Sequence, residues 1–341
     1  MADESLAVGV AALLEEAGLN GGSYRLERCP GSGNNRVFVV HVDGTRFVAK
    51  WYYRDSSDER DRLAAEYAFL EYAYHACPRA VPAPIARRTA DGLALYEYIE
   101  GRKLASDEIG NQQVQAAVDF FHHLNAAEHR ERAATLHRAS EACFRIADQL
   151  ALIEARVDRL GDLPEVSHVD AAAIEFVGRL RTTWREIKDR TLTGAAERGL
   201  DPHETLPADQ RCISPSDFGF HNALCRPDGS LCFLDFEYAG WDDPAKMAGD
   251  FFVQPALPVA DKYRDEFVQQ AMAFSRHAVT LEARCRLLEP VFRFKWCCIM
   301  LNHFLPASAK RRRFADAGAG AAERKWQQLE RAKRLHQTLS A

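Results

Sequence analysis

From residue 24 onward, branched and aromatic residues crowd three runs, YRLERC, RVFVVHV and TRFVAKWYY. Asp43-Gly44, between the last two, is a tight-turn signal, so the pattern predicts antiparallel strands. Upstream, residues 6–18 read as a short helix. Downstream, Leu63, Tyr67, Leu70 and Tyr74 recur at spacings of four and three. That stripe predicts a helix from about Ser57 to His75, with Ser57 as its cap. Pro78, Pro82 and Pro84 then break the chain, and residues 85–88 and 93–99 read as two more strands turning at Gly92. The first lobe is therefore expected to be a five-stranded antiparallel sheet with one inserted helix, ending near Gly101.

Beyond Asn111 the pattern becomes helical. Ile146, Leu150, Ile153, Val157 and Leu160 mark one amphipathic helix, and Phe176, Leu180, Trp184 and Ile187 another. Residues 190–210 read as a polar loop. Residues 212–238 hold a polar knot, SPSDFGFHNAL, then a CRPDGS turn and the apolar strand LCFLDF. Residues 259–341 return to helix. The expected class is α+β, with an N-terminal lobe over 1–101 and a mostly helical lobe over 102–341.

At 341 residues the chain can bury a core without covalent staples. Its nine cysteines are an odd count without a CxxC, and several lie in apolar runs such as KWCCIML. They read as buried thiols of a reduced, cytoplasmic protein. The net charge of -5 argues against a nucleic-acid coat. No run of 18 apolar residues suggests a membrane span, and acid stands where a secretion signal carries base. The KRRR run at 310–313 reads as a solvated turn.

Candidate chemistry gathers in three places. In PGSGNN, Pro30 to Asn35, two glycines permit a turn whose amides can face phosphate oxygens, or a plain hairpin turn. Lys50 lies mid-strand on the face of Val48, a position that suits an edge cation or the partner of a buried anion. Glu66, on the striped helix, is a candidate for that partner. In SPSDFGFHN, Asp217 and Asn222 share one short loop. Asp235 and Glu237, alternating with Phe236 in FLDFE, are expected to share one side of a strand. Hard oxygens of this kind suit a divalent cation, although caps and turns would also use them. His221 reads as a packed or hydrogen-bonded histidine. No HExxH and no GxSxG supports a zinc or serine hydrolase.

Taken in order, these segments resemble the aminoglycoside phosphotransferase and choline kinase superfamily, which has a two-lobed protein-kinase-like fold. The resemblance runs from about residue 24 to 255. It is most specific in ISPSDFGFHNAL and CFLDFEYAGWDDPA, which parallel a HGDxxxxN motif, a strand ending in DxE and a Gly-Asp-Pro turn. It implies an ATP- and magnesium-dependent kinase acting on a small-molecule hydroxyl. In that likeness Asp217 is the catalytic base, and Lys50 with Glu66 forms the phosphate-binding pair. Asn222 and Asp235 hold Mg2+, with Glu237 adding to the metal shell or bonding substrate. Gly31, Ser32, Gly33 and Asn34 cover the phosphates, and Glu97, Tyr98 and Ile99 form the hinge that reads adenine.

The chain departs from the motif at Pro215 and Ser216, where the family carries histidine and glycine, and at Met247, where it often carries aspartate. A few residues separate Asp235 from Asp243-Pro244, too few for a protein-substrate platform, so the expected acceptor is small. Mixed charge in the C-terminal half favours a sugar or other polyol, with an anionic group an option. Aminoglycosides and choline or ethanolamine are the alternatives, as is a non-catalytic nucleotide-binding protein. A choline site would want an aromatic cage, for which Trp184, Trp241, Phe294 and Trp296 are available. A monomer or homodimer is expected.

Overall fold

The computed structural model describes residues 2–19, 23–29, 35–54, 60–306 and 321–339. The Pro30–Asn34 stretch, the expected cap Ser57 and the KRRR run lie outside these residues. Strands β1 (Tyr24–Cys29), β2 (Arg36–Val42), β3 (Thr45–Trp51), β4 (Pro84–Arg88) and β5 (Leu93–Glu97) form one sheet in the order β1-β2-β3-β5-β4. Every pairing is antiparallel, as the alternation and the turn at Asp43-Gly44 predict.

The alternation within β3 sets the two faces. Ala49 joins Phe38, Val40 and Leu95 in a cluster covered by α1 (Ala2–Glu16) through Leu6, Val10 and Leu13. Val48 and Lys50 point the other way, where Val48 packs on the cluster containing α2 (Arg62–Ala76). The helix starts later than the apolar stripe suggests. Its cap is Asp61, whose carboxylate accepts from the Ala64 amide at 2.9 Å.

The C-terminal lobe contains α3 (Asn111–Asn125), α4 (Ile146–Leu160), α5 (His168–Glu197), α6 (Pro244–Val253), α7 (Arg264–Met272), α8 (Ala278–Leu301) and α9 (Ala321–Gln337). The predicted 190–210 loop begins only after Glu197, because Thr191 and Ala195 are buried and carry the apolar face of α5 onward. Helices α6 and α8 meet closely at Gly249, where a Cβ would stand 2.6 Å from the Phe292 ring. Two short antiparallel pairs lie in this lobe: β6 (Cys212–Ser214) with β9 (Gly240–Asp242), and β7 (Ala223–Cys225) with β8 (Leu231–Phe233). The nine cysteines are free, and no described helix is long and apolar enough to cross a membrane.

Candidate active site

The expected strand LCFLDF is short. β8 ends at Phe233, and Asp235 takes a left-handed backbone conformation with φ 65°. The reason lies in the packing. Phe236 is buried against Phe69 of α2, with ring centroids 4.7 Å apart, which turns the chain out of the strand. Asp235 and Glu237 therefore do not owe their directions to strand alternation.

Asp235 meets Lys50, whose ammonium donates to its carboxylate at 2.5 Å and to Glu66 at 2.6 Å. One buried lysine thus joins the sheet, α2 and the segment after β8. Glu66 also accepts from the Tyr52 hydroxyl at 2.6 Å and from the Phe236 amide at 3.3 Å. Burial pulls the Lys50 ammonium down, but Asp235, Glu66 and Glu237 hold it well above its ordinary range. Burial also pushes Asp235 up, yet the neighbouring Lys50 keeps its carboxyl below the usual value. Lys50 is therefore a fixed cation.

Glu237 lies elsewhere in this arrangement. Its carboxylate accepts from Asn35 at 2.6 Å and stands 3.8 Å from the Arg62 guanidinium. Asn35 in turn accepts from the Tyr53 amide at 3.0 Å, so Glu237 anchors Asn35 just before β2.

The loop after β6 is fastened by Phe218 and Phe220, both buried and both against Phe251. Asp217 and His221 fall on its other side. The Asp217 carboxylate is 3.5 Å from His221 Nε2 and accepts from Asn222 Nδ2 at 3.4 Å. Both His221 ring nitrogens are buried without a hydrogen-bond partner among the described residues, so the histidine is packed but not satisfied by them. Gly219 makes room for it, since a Cβ there would lie 2.9 Å from Nδ1. Asn222 turns its amide nitrogen to the Asp217 carbonyl and carboxylate, at 3.1 and 3.4 Å, and its Oδ1 has no hydrogen-bond partner among the described residues. Its carbonyl accepts from Leu234 at 2.7 Å, which sets Asn222 beside Asp235.

Asn222 Oδ1 and the Asp235 carboxylate are hard oxygens that suit a divalent cation. No group of three or more His, Cys, Asp or Glu forms a metal cage among the described residues. The remaining ligands would have to come from phosphate and water.

In the segment expected to be the hinge, Glu97 is engaged: its amide donates to Ala83 at 2.9 Å and its carboxylate accepts from the Ala83 amide at 3.0 Å. Tyr98 and Ile99 make no backbone hydrogen bonds among the described residues, so their main-chain groups are the available ones. Lys103, missed in the sequence, follows these residues and donates to the His221 carbonyl at 2.7 Å. Burial lowers its ammonium from the ordinary value.

A second missed residue supports the loop from below. Lys246 of α6 is buried and donates to Ser216 Oγ at 2.9 Å and to Asp242 at 2.8 Å, with Asp250 at 3.6 Å. Asp250 also accepts from Lys295 and from Trp296 Nε1, at 2.7 and 2.8 Å. The signal was partly present, because Lys246 and Asp250 are spaced by four on α6, whereas Asp242 lies on β9. Ser216 has φ 66°, a conformation that favours glycine, and its hydroxyl anchors the loop through Lys246.

A five-stranded sheet over a helical lobe, with a lysine–glutamate pair aimed at an aspartate from the far lobe, defines the protein-kinase-like class. Within it, the chain belongs to the phosphotransferase enzyme family, whose pattern matches residues 25–246. No curated protein sequence matches it significantly. Among solved structures, it is similar to a spectinomycin phosphotransferase in complex with ADP and spectinomycin, at 10% identity and TM-score 0.57, covering 96% of this chain and 98% of that one. It is similar to Plasmodium vivax ethanolamine kinase at 12% identity and TM-score 0.56, covering 95% and 86%. A Streptococcus pneumoniae choline kinase gives 13% identity and TM-score 0.55, covering 95% and 99%. Identities this low establish the fold.

Proposed function

We propose that the protein transfers the γ-phosphoryl group of ATP to a hydroxyl of a small molecule, a sugar or other polyol. The observation that carries this reading is Lys50, bonded at once to Glu66 and to Asp235 from the other lobe. A cation so fixed is suited to phosphate oxygens, and Asp235 faces the same point. Residues 1–101 would hold the nucleotide, with Gly31 to Asn34 over the phosphates and the main chain of Tyr98 and Ile99 at the adenine edge. Residues 102–341 would supply the catalytic loop and the acceptor site.

Phosphoryl transfer depends on positioning and charge neutralisation. Asp217 would orient the acceptor hydroxyl and take its proton. Asn222 fixes the Asp217 carboxylate through its amide. Lys50 offsets charge on the phosphates, and Glu66 keeps the lysine aimed. A Mg2+ ion held by Asn222 and Asp235 would add charge neutralisation at the phosphates. Closing the lobes about the hinge would exclude water as a competing acceptor. Nine free cysteines fit a reducing compartment, and we assign the protein to the cytoplasm.

Other acceptors find less support. Trp184 and Phe294 stack on each other at 5.1 Å in the core, while Trp296 bonds Asp250 and Trp241 bonds the Ala133 carbonyl. The four aromatic residues do not converge as a choline cage. The non-catalytic reading rests on Pro215 and Ser216, and Lys246 answers it by supporting the loop from a different position.

The test is a mass-spectrometric screen with ATP, magnesium and pooled small alcohols. Wild type is expected to phosphorylate at least one. Asp217→Asn is expected to bind nucleotide as wild type does and to lose turnover by a factor of about 100 or more. Binding without transfer to any alcohol would favour the non-catalytic alternative.

A further inference from the structure

A cavity of about 780 Å³ opens beside the β6–β9 strand pair, within the size range of small-molecule sites. Arg130, Arg138, Arg145 and Arg211 line it, together with Phe144 and Trp241. The arginines are held in place. Arg211 and Arg138 lie over the Phe144 ring at 4.0 and 4.7 Å, and Arg130 lies over Trp241 at 5.1 Å. Arg211 donates to the Leu206 carbonyl at 3.0 Å, Arg130 to Ala208 at 2.8 Å, and Arg138 to Ala142 at 2.8 Å. Arg145 donates to Thr205 Oγ1 at 2.9 Å.

These partners are neutral. Among the described residues, none of the four guanidiniums forms an ion pair with a carboxylate. Of the two acids lining the cavity, Asp209 is committed to Arg276 at 3.0 Å and to His277 at 3.4 Å, which leaves Asp148. An acidic chain thus concentrates four cations against one uncommitted carboxylate. Burial, and then the neighbouring Arg138, hold the Arg211 guanidinium below its usual range. Each guanidinium has five N–H donors and spends few of them on the protein.

We infer that this cavity binds a small molecule carrying phosphate or carboxylate groups. An anion would relieve the repulsion among the arginines and take their spare donors as charge-assisted hydrogen bonds. The ligand can come from two sources, the anionic end of the acceptor or a separate effector. Either would bear on the catalytic loop. Arg211 immediately precedes β6, which leads into that loop, and Trp241 lies opposite Ile213 in the strand pair.

The test is isothermal titration of the full chain with inorganic pyrophosphate and with citrate. Saturable binding of at least one is expected, weakening as salt is raised. It should be about tenfold weaker or more in Arg138→Gln/Arg211→Gln. Circular dichroism checks that this variant is folded, and Arg145→Gln provides an independent weakening. Asp217→Asn should bind the anion as wild type does, so the outcome stands apart from the kinase reading. A second arm compares gluconate with glucitol as acceptors. A preference for gluconate that the double variant loses identifies the acceptor's anionic end. Anion binding without that preference identifies an effector. Absence of saturable binding to wild type, or equal affinity in the folded double variant, overturns the inference.

Discussion

At the scale of single residues, Ser216 and Lys246 make a reciprocal arrangement. Ser216 holds φ 66°, which costs a non-glycine residue roughly 1–2 kcal/mol, and recovers part of that through the bond to Lys246. Ser216→Gly removes both the strain and the bond. It is expected to change thermal stability little while lowering turnover, because the loop bearing Asp217 loses its tether. Lys246→Met is a different kind of change. It strands Asp242, which is fully buried and bonded to that ammonium, and leaves Asp250 with Lys295. Breaking a buried pair from one side costs about 3–5 kcal/mol. Denaturant midpoints and turnover measured on both variants separate the two roles. Equal stability loss in both, with turnover unchanged, would sink the tether.

At the scale of elements, what was legible depended on whether packing agreed with local pattern. The antiparallel sheet and α4 follow from alternation and helical spacing, whereas the Lys50–Glu66 pair, one of the open readings of those residues, is what the family resemblance implies and the fold brings together. The end of β8 at Phe233 does not, because the turn at Asp235 is imposed by Phe236 seeking Phe69 on another element. Glu237 was misplaced for the same reason: its partner Asn35 is 202 positions away. Another such long-range clamp joins α3 to β6. Asn125 donates to the Ile213 carbonyl at 2.9 Å and accepts from the Ile213 amide at 2.7 Å, all three groups buried. Asn125→Leu would orphan both Ile213 main-chain groups in the strand that leads into the loop bearing Asp217. The expected cost is about 2–4 kcal/mol, from two unsatisfied buried groups. Urea unfolding checks it as a lowered midpoint at unchanged slope; a midpoint equal to wild type would contradict the clamp.

At the scale of the whole molecule, Lys50 lies at the joint of the lobes, where sheet, α2 and the post-β8 segment meet. The kinase-like order was readable because each segment carries its own residues, but their convergence is a property of the folded chain alone. That convergence has a pH signature. With Lys50 replaced by Met, Glu66 keeps its buried position and loses its cation. Burial already raises the Glu66 carboxyl, opposed by Lys50, so the variant raises it further. A carboxyl whose folded pKa exceeds the unfolded value of about 4.3 keeps its proton longer in the folded state. Folding of Lys50→Met is therefore penalised least near pH 4–5. The penalty grows as pH rises toward the new folded pKa and is constant above it. At neutral pH the loss should be about 3–5 kcal/mol relative to wild type. Adding Glu66→Gln removes one of the two carboxyls that lose Lys50 and leaves Asp235, so the double variant should lose part of this pH dependence and regain part of the stability. Thermal unfolding of wild type and both variants between pH 5 and 9 decides the matter. A Lys50→Met deficit that is flat across this range would mean that Glu66 is solvated or satisfied without the lysine, and that the lobes do not share a buried charge at their joint.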